Sequence, residues 1–374
     1  MTIANFFLPK KINSFINFKE CLSKGQINNK FISFKKVKED EVILLNYPKT
    51  IDLDYWNVFN LKELLLSSVY VLKMPNGNYI PSHCAYISAN NQLIDDFSIE
   101  FSTPHDNKGF ERSIFKKRLH RQKKLNYNVA ILDSAGSSNY YHWLLNILPK
   151  IEFFEKSGFE IDYYLVDQQH KFQIESLKLL NLPENKIVDK NQFKNLKAKN
   201  LIFSNLPSSP GVLNPSSLSY IFNRFSYIKS SSSSSNKRIY ITRRNARQGR
   251  KIINEEDLIK KLELLKFNVY ELEKLSFQEQ IILFRDAEIV IAPHGAGLTN
   301  MIFCKEGIKL IEILNPNFQA TCYWILANLK KIDYYCIFGE GAKESCQDLY
   351  NCNEDITLDM TKMTKILDMA GIIN

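Results

Sequence analysis

From about residue 130 onward, short apolar runs alternate with segments of helical periodicity. The runs with strand composition are 129–132, 163–166, 201–204, 238–242, 267–270, 288–292, 308–314 and 334–337. The segments with helical periodicity are 142–156, 172–180, 255–266, 276–286 and 319–328. Asn254 is a predicted cap for the third of these, and Ser276 opens a capping box at the fourth. This alternation predicts parallel sheets with helices on their faces, which is the α/β class.

A run of six serines divides the alternating region in two. Ser230 to Ser235 offer no apolar side chain for a core, so we predict a linker at 230–236. The other predicted parts are an N-terminal domain at 1–229 with a strand-rich lead-in to about residue 128, a second Rossmann-like domain at 237–345, and a tail at 346–374. We expect two Rossmann-like domains that face a cleft, with a tail helix packed on the first domain.

Basic residues are clustered in this chain, which carries a formal charge of +9. Residues 112–124 and 237–251 each hold seven Lys or Arg and no acid. Such clusters attract phosphorylated substrates, anionic membrane surfaces or nucleic acid, or they form a solvated face. No nucleic-acid-binding motif accompanies them, so nucleic acid is not an expected partner. Peripheral contact with an anionic membrane stays open.

Several features bear on metal sites and location. The seven cysteines include no C-x-x-C pair, which favours reduced thiols over a disulfide framework or a zinc site. Asp52-Leu53-Asp54 has a metal-binding form, but three-residue patterns recur by chance. The N-terminus lacks the basic and apolar regions of a signal peptide, and no segment reaches the roughly 18 apolar residues of a membrane span. We therefore expect a cytoplasmic protein without a metal site.

A glycine loop follows the β-branched strand at 288–292 and leads at once into a helix. Its sequence is Pro293-His294-Gly295-Ala296-Gly297-Leu298-Thr299-Asn300. Glycines let backbone N–H groups approach a ligand, and a helix N-terminus adds unpaired donors. The loop therefore predicts a phosphate or diphosphate site, with Glu312 at the end of the next strand as an acceptor for ribose hydroxyls.

Two other interpretations of the loop remain. The glycines could serve only a tight strand–helix turn. The loop could also bind a dinucleotide, although Asn300 stands where that motif has its third glycine.

Arginines follow the strand that opens the second domain. Arg243 and Arg244 present charged, planar forks that suit a diphosphate, and Arg247 and Arg250 are weaker candidates. Adjacent side chains of a strand point to opposite faces, so we expect only one of the first two in the site, with Arg243 favoured. The alternative for Arg247 and Arg250 is a solvated basic loop.

His142 is the first candidate for a general base among six histidines. It lies where a strand gives way to a helix, at the sheet edge that lines the cleft of an open α/β fold. The alternative is a hydrogen-bonded histidine beside Trp143. Asp133 and Asp95 are lesser candidates for the base, and His294 is a candidate for contact with the donor.

Three segments together resemble glycosyltransferase family 61. They are Asn139-Tyr140-Tyr141-His142-Trp143-Leu144-Leu145-Asn146-Ile147-Leu148-Pro149-Lys150, Ile239-Tyr240-Ile241-Thr242-Arg243-Arg244, and the glycine loop continued through Met301-Ile302-Phe303. The resemblance covers roughly residues 130–320. It implies a GT-B fold, a UDP-sugar donor, inversion at the anomeric carbon and no required metal or other cofactor. Because the chain shows no lumenal signal, it is similar to bacterial members that build surface polysaccharides such as capsule or lipopolysaccharide.

These observations assign a set of expected roles. The N-terminal domain is expected to take a glycan or lipid-linked glycan acceptor and the second domain the nucleotide-sugar donor. Predicted acceptor-side residues are Asn139, Tyr141, His142 and Trp143. Predicted donor-side residues are Arg243, Arg244, Arg247, Pro293, His294, Gly295, Ala296, Gly297, Leu298, Thr299, Asn300 and Glu312, with His142 and His294 as the catalytic candidates. The alternatives are an NAD-dependent oxidoreductase that uses the same glycine loop and a basic nucleic-acid-binding protein.

Overall fold

A computed structural model describes residues 12–26, 32–54, 59–99, 111–206, 214–229, 237–246, 249–318, 320–341 and 354–373. The predicted linker at 230–236 and Arg247 lie outside the described residues. The chain forms two compact units, one from residues 1–40 and 67–207 and the other from residues 41–66 and 208–374. We call them unit 1 and unit 2.

Strands and helices are numbered in chain order. The strands are β1 (Ser14–Ile16), β2 (Ser33–Lys38), β3 (Glu41–Leu44), β4 (Lys49–Thr50), β5 (Glu63–Leu66), β6 (Val69–Pro75), β7 (Asn78–Ile80), β8 (Ala85–Ile87), β9 (Gln92–Ile94), β10 (Lys123–Leu132), β11 (Tyr163–Val166), β12 (Ile187–Asp189), β13 (Leu196–Ser204), β14 (Arg238–Ile241), β15 (Asn268–Tyr270), β16 (Ile289–Pro293), β17 (Lys309–Leu314) and β18 (Asp333–Phe338). The α-helices are α1 (Phe18–Ser23), α2 (Tyr140–His142), α3 (Lys150–Ser157), α4 (Lys171–Leu179), α5 (Pro215–Arg224), α6 (Glu255–Leu264), α7 (Phe277–Asp286), α8 (Cys322–Leu329) and α9 (Met360–Met369).

Unit 1 is built on a mixed sheet, which among the described residues has ten strands in the main order β1-β9-β8-β7-β13-β10-β11-β12. The strands β10, β11, β12 and β13 run parallel to one another. The strands β6 and β7 pair antiparallel with β13, and β2 extends the sheet from β6. The lead-in strands of this sheet therefore pair mostly antiparallel, with β1 and β9 as a parallel pair. The later strands β10 to β13 have the predicted parallel arrangement.

The segment predicted as one helix at 142–156 is broken in the structure. It consists of α2, a π-helical turn at Trp143–Ile147, and α3. Pro149 precedes α3 and has no N–H for a continuous helix, and Leu148 N donates to Trp143 O over the wider π turn, at 3.0 Å. The turn is wholly buried, so its apolar residues serve the core despite the break.

Unit 2 contains a parallel sheet in the order β15-β14-β16-β17-β18-β4. Its first strand, β14, lies between β15 and β16, so the direction of strand addition reverses there. The strand β4 at one edge comes from residues 41–66, and this differs from the predicted division, which placed all of 1–229 in the first domain. Residues 214–229 with α5 likewise belong to unit 2.

The tail helix α9 packs within unit 2, so its predicted packing on the first domain is wrong. Met363, Ile366 and Leu367 are buried in one cluster with Tyr335 and Ile337 of β18. The amphipathic pattern predicted the helix correctly, but it could not indicate which apolar surface the helix would cover.

Asn254 and Asp52 do not have the helix-capping and metal-binding roles that their sequence patterns suggested. Asn254 does not cap α6 through its side chain; its Oδ1 accepts from Leu358 N at 2.9 Å and its Nδ2 donates to Leu358 O at 2.8 Å. Asp52 is buried and accepts from Phe338 N at 2.8 Å and Lys362 Nζ at 2.7 Å. The first carboxylate of the D-x-D pattern thus joins the N-terminal segment of unit 2 to β18 and α9.

Candidate functional site

The glycine loop lies at the switch point of the unit 2 sheet. Neighbouring parallel strands β14 and β16 end together, and Arg243 follows the first while His294 and Gly295 follow the second. In open α/β sheets, ligands bind outside the carboxyl ends of the strands at such a reversal. The 3₁₀ helix Ala296–Phe303 begins directly after Gly295 and directs its N-terminal N–H groups to this edge. The topology therefore favours a ligand site at the loop.

His294 is fixed in place by a buried carboxylate. Its Nδ1 lies 2.5 Å from Glu312 Oε1, and Tyr334 donates its hydroxyl to Glu312 Oε2 at 2.6 Å. Burial, and then the charge of Glu312, raise the pKa of Tyr334 well above its usual value, so the phenol stays a donor. A carboxylate on Nδ1 sets the tautomer of a neutral imidazole and leaves Nε2 as the nitrogen that can accept.

Glu312 therefore does not have the role predicted for it. Its side chain has no exposed surface, and both of its oxygens accept hydrogen bonds from protein groups. A group that is buried in this way orients His294 rather than contacting a ribose. The sequence register of His294 and Glu312 was a correct signal of their proximity, since β16 and β17 pair in parallel.

Arg243 passes directly over Gly295. A Cβ added at Gly295 would overlap Nη1 of Arg243, and Nη2 of the same guanidinium donates to Gly249 O at 3.2 Å. The backbone of Gly295 is extended, so this glycine leaves space for the guanidinium and does not serve a left-handed turn. The absence of a side chain in the loop is what lets this guanidinium reach the switch point.

Arg250 brings a second cation to the same region. Its guanidinium lies over the ring of Phe318, 4.2 Å from the centroid, and Phe318 packs against His294 with centroids 5.0 Å apart. Burial, and then the nearby charge of Arg250, lower the pKa of Arg243 to about 10. Two guanidinium groups that repel each other at a sheet edge are the arrangement expected where an anion binds.

The remaining loop residues mostly support the turn. Leu298, Thr299 and Asn300 are buried; Asn300 Nδ2 donates to Gln280 Oε1 at 2.8 Å and to Gly297 O at 3.1 Å. Gly297 is needed for space, because a Cβ there would come within 2.6 Å of Leu272 Cδ1. Pro293 and Ala296 lie at the end of β16 and the start of the 3₁₀ helix. Backbone groups, rather than these side chains, are available to a ligand.

Arg244 is directed away from Gly295 and towards α6. Its guanidinium lies 3.4 Å from Glu255 and 3.3 Å from Glu256. Both arginines lie beyond the end of β14, and the structure brings only Arg243 to the loop.

The predicted acceptor-side residues lie in unit 1 and differ in how much of each side chain is exposed. His142 is half-buried, and its Nδ1 lies 2.8 Å from Asn146 Oδ1. Burial lowers the pKa of His142, an effect that the Asn146 hydrogen bond only partly opposes, so the imidazole is held neutral. Asn139 caps α2 by accepting from Tyr141 N at 2.9 Å, and Tyr141 is buried.

Trp143 has no exposed surface and donates its Nε1–H to Ser176 Oγ at 2.8 Å. Its predicted contact with an acceptor is therefore wrong, since the ring belongs to the core of unit 1. The two lesser base candidates are also occupied. Asp95 pairs with Arg112 at 2.6 Å, and Asp133 is fully buried between Tyr79 and Lys190.

One family model matches both the segment around His142 and the glycine loop. Residues 140–311 match the family model described as Glycosyltransferase 61. The EGF domain-specific O-linked N-acetylglucosamine transferase of Xenopus laevis is 37% identical over 90 residues, which are 23% of this chain and 17% of that protein. The enzyme of the same name from Drosophila melanogaster is 34% identical over 98 residues, 25% of this chain and 18% of its own length. The β-1,2-xylosyltransferase of Arabidopsis thaliana is 26% identical over 100 residues, 27% of this chain and 17% of that protein.

Residues 140–311 resemble glycosyltransferase family 61, and we call them the family 61 region.

The family 61 region begins at Tyr140, includes His142, Arg243 and the whole glycine loop, and ends one residue before Glu312. The match and the names of these relatives support the predicted enzyme class, a glycosyltransferase. The chain spans less than a fifth of the length of these curated relatives, so their activities belong to those proteins. The relatives come from animals and a plant and give no support to the predicted bacterial type.

A buried lysine in the family 61 region was not singled out from the sequence. Lys150 opens α3, has 1% of its surface exposed and donates from Nζ to Asp133 O at 2.7 Å. Burial lowers its pKa from 10.5 to about 8, and Asp133 opposes part of that shift. Its signal in the sequence was a basic residue on an otherwise apolar helical stripe.

Replacing Lys150 by methionine should change how stability depends on pH. The native pKa lies below the unfolded value, so the cost of the buried charge is present below pH 8 and is relieved as the pH rises towards 10.5. We expect the unfolding free energy of the wild type to gain about 2 kcal/mol relative to Lys150→Met between pH 7 and 10. Urea titrations at several pH values measure this difference. Parallel pH curves for the two proteins would contradict it.

Proposed function

We propose that this protein is a metal-independent, inverting glycosyltransferase that moves a sugar from a UDP-sugar to a glycan or glycolipid. The observation that carries this proposal is the position of Arg243 over Gly295, with the charge of Arg250 nearby, at the switch point of a parallel sheet. The resemblance to family 61 supports the donor class. The GT-B arrangement of the units stays a prediction, as does a role in surface polysaccharide synthesis.

The reaction requires a base for the acceptor hydroxyl and a positive group that stabilises the leaving diphosphate. The acceptor oxygen forms a bond to the anomeric carbon while the bond from that carbon to the diphosphate oxygen breaks, and UDP leaves with the electron pair. The hydroxyl proton passes to a base. Guanidinium groups that are already in place stabilise the charge that develops on the diphosphate without reorganisation of water. Arg243 and Arg250 are the side chains we assign to this role.

His142 is the base we assign. When Nδ1–H donates to Asn146, Nε2 is the basic nitrogen, and the lowered pKa keeps the ring neutral at physiological pH. His294 is the alternative, because Glu312 orients it in the same way and it lies in the donor loop.

An NAD-dependent oxidoreductase is less well supported. A dinucleotide site needs an acidic side chain on the ribose, and the acidic residue that follows this loop, Glu312, has no exposed surface. Asn300 stands in place of the third glycine of a dinucleotide motif. It is buried and donates hydrogen bonds to Gln280 and Gly297.

Location and membrane contact also belong to the proposal. Within the described residues no helix is both long and apolar enough to cross a bilayer. In the cluster at 112–124 Arg112 is paired with Asp95, whereas Lys116, Lys117, Arg118 and Arg121 are exposed. We propose a cytoplasmic enzyme that contacts an anionic membrane through these exposed residues.

Thermal unfolding with UDP, GDP, CMP and NADH tests the donor class. A ligand that binds only the folded state raises the midpoint by mass action. We expect UDP to raise it, with the same shift in EDTA. The proposal fails if UDP gives no shift, and a shift with NADH alone would favour the oxidoreductase.

A further inference from the structure

Unit 1 contains a cavity of about 470 Å³ that is separate from the glycine loop. It lies at the carboxyl ends of the parallel strands β10, β11 and β12. Residues 134–138 follow the first strand, Asp167 and Gln169 follow the second, and Lys190 follows the third. This is the edge where open α/β sheets bind ligands, and the volume falls within the roughly 300–1,000 Å³ of ligand sites.

Hydroxyl groups line one wall of this cavity. Gly136 adopts a left-handed conformation with φ of 79°, and the turn around it is closed by Ser137 N donating to Ser134 O at 3.2 Å. The turn places Ser134, Ser137 and Ser138 along the cavity, and Ser82 and Ser113 lie among the other lining residues. A wall of short hydroxyls can both donate and accept hydrogen bonds.

The cation of the cavity is already neutralised. Lys190 Nζ lies 2.9 Å from Asp133 Oδ1, 2.9 Å from Asp167 Oδ2 and 2.7 Å from Ser137 Oγ. An ammonium group has three N–H donors, and these three oxygens use them all. Asp133 is also close to the buried Lys150, whose Nζ donates to Asp133 O at 2.7 Å. Both lysines are therefore already paired, and a phosphate or carboxylate ligand would meet the carboxylates without gaining an unpaired lysine.

Asp167 is kept ionised at the cavity wall. Burial would raise the pKa of this carboxyl, but hydrogen bonds from Lys190 and Ser137 outweigh that effect and lower it. Its Oδ2 accepts from both of those groups, whereas its Oδ1 accepts only a long bond of 3.3 Å from Gln169 N. A carboxylate oxygen has room for a further donor, and a ligand hydroxyl is a donor of the right kind.

We propose that this cavity binds a neutral saccharide. The lining consists of hydroxyls, an amide, the imidazole of His83 and an ionised carboxylate whose lysine is already paired, and this set matches an uncharged polyol. Resting on the proposed function, the saccharide is the acceptor of the transfer. The site is built by Ser134–Ser138, Asp167, Gln169 and Lys190, and it differs from the acceptor residues expected from the sequence, which begin at Asn139.

The test compares binding of the full chain to immobilised neutral oligosaccharides with hexose, pentose or N-acetylhexosamine ends and to acidic ones. Ser138→Trp fills the mouth of the cavity from an exposed position, and Gln169→Ala removes an exposed amide from its wall. Gln278→Ala, at an exposed position on α7 in unit 2, is the matched control for the second variant. The UDP-induced thermal shift is measured on every protein.

We expect neutral oligosaccharides to retain the wild type and Gln278→Ala, with retention at least tenfold lower for Ser138→Trp and reduced for Gln169→Ala. The inference is overturned if no neutral oligosaccharide retains the wild type, if the acidic ones bind better, or if Ser138→Trp binds as the wild type does. If any of those saccharide results occurs while UDP still raises the thermal midpoint, only this inference is overturned. Saccharide retention without a UDP shift would instead overturn the proposed function.

Discussion

Replacing Arg243 by alanine should lower kcat/KM for the UDP-sugar by about 10²–10³-fold, the cost of removing one preorganised donor from an oxyanion site. The guanidinium lies over Gly295 at the switch point, and its burial, together with the nearby charge of Arg250, lowers its pKa. A charge held in this way is stabilised by an anionic ligand, and most by the leaving diphosphate. Arg243→Lys keeps the charge but loses the planar fork, so we expect an intermediate loss.

Arg244→Ala is the matched control for this prediction. Arg244 is the next residue, has the same side chain, and pairs at the surface with Glu255 and Glu256. Surface pairs contribute about 0–1 kcal/mol, so kcat/KM should fall by no more than about fivefold. Steady-state kinetics on the two variants measure the difference. Equal losses would show that the effect comes from general basicity of the loop, and the assignment of Arg243 would then fail.

Replacing Glu312 by alanine should remove about 3–5 kcal/mol of stability. The substitution leaves His294 Nδ1 and the Tyr334 hydroxyl buried without their shared partner and opens a cavity between β16 and β18. His294 would also lose its fixed orientation, so UDP affinity should fall in the protein that remains folded. Urea unfolding gives the stability, and the thermal shift with UDP gives the affinity.

Tyr334→Phe is the comparison for Glu312→Ala. It removes one hydrogen bond to the carboxylate and keeps the ring that packs on Phe59, so about 1.5–3 kcal/mol should be lost and the His294 contact retained. A loss below about 1 kcal/mol for Glu312→Ala would mean that the pair is exposed to water in solution. Its role in orienting His294 would then be untenable.

Local signals predicted the conformation of the glycine loop well. The β-branched strand, the two glycines and the helix that follows are contiguous in sequence, so β16, the turn and the 3₁₀ helix needed no information from elsewhere in the chain. The capping box at Ser276 is equally local, and the structure confirms it at α7. Strand periodicity does not explain the separation of Arg243 from Arg244, because both residues follow β14, which ends at Ile241.

Distant contacts could not be predicted in the same way. Phe318 lies 68 residues beyond Arg250 in sequence, and only the fold places that ring between Arg250 and His294. The strand β4 joins an edge formed by β18, and no pattern at Lys49–Thr50 indicates that partner. Glu312 was correctly placed near His294, but its complete burial depends on Tyr334 from a third strand.

The unit 1 cavity was missed for a related reason. Its residues come from three loops that follow three separate strands, and each loop by itself resembles an ordinary polar turn. The parallel register of β10, β11 and β12 brings the loops to one edge. Sequence patterns can predict the strands, but the set of side chains that meet at their ends depends on strand order.

UDP binding to Gly295→Ala, measured by titration calorimetry in EDTA, tests the central claim most directly. The added methyl would occupy the space of the Arg243 guanidinium, whereas Gly341→Ala in the same unit meets its nearest neighbours only at 3.4 Å and serves as the control. We predict that the wild type and Gly341→Ala bind UDP without metal and that Gly295→Ala binds at least about tenfold more weakly, a loss of about 1.4 kcal/mol. Equal affinity in all three proteins would show that UDP does not bind at this loop, and the account would be contradicted.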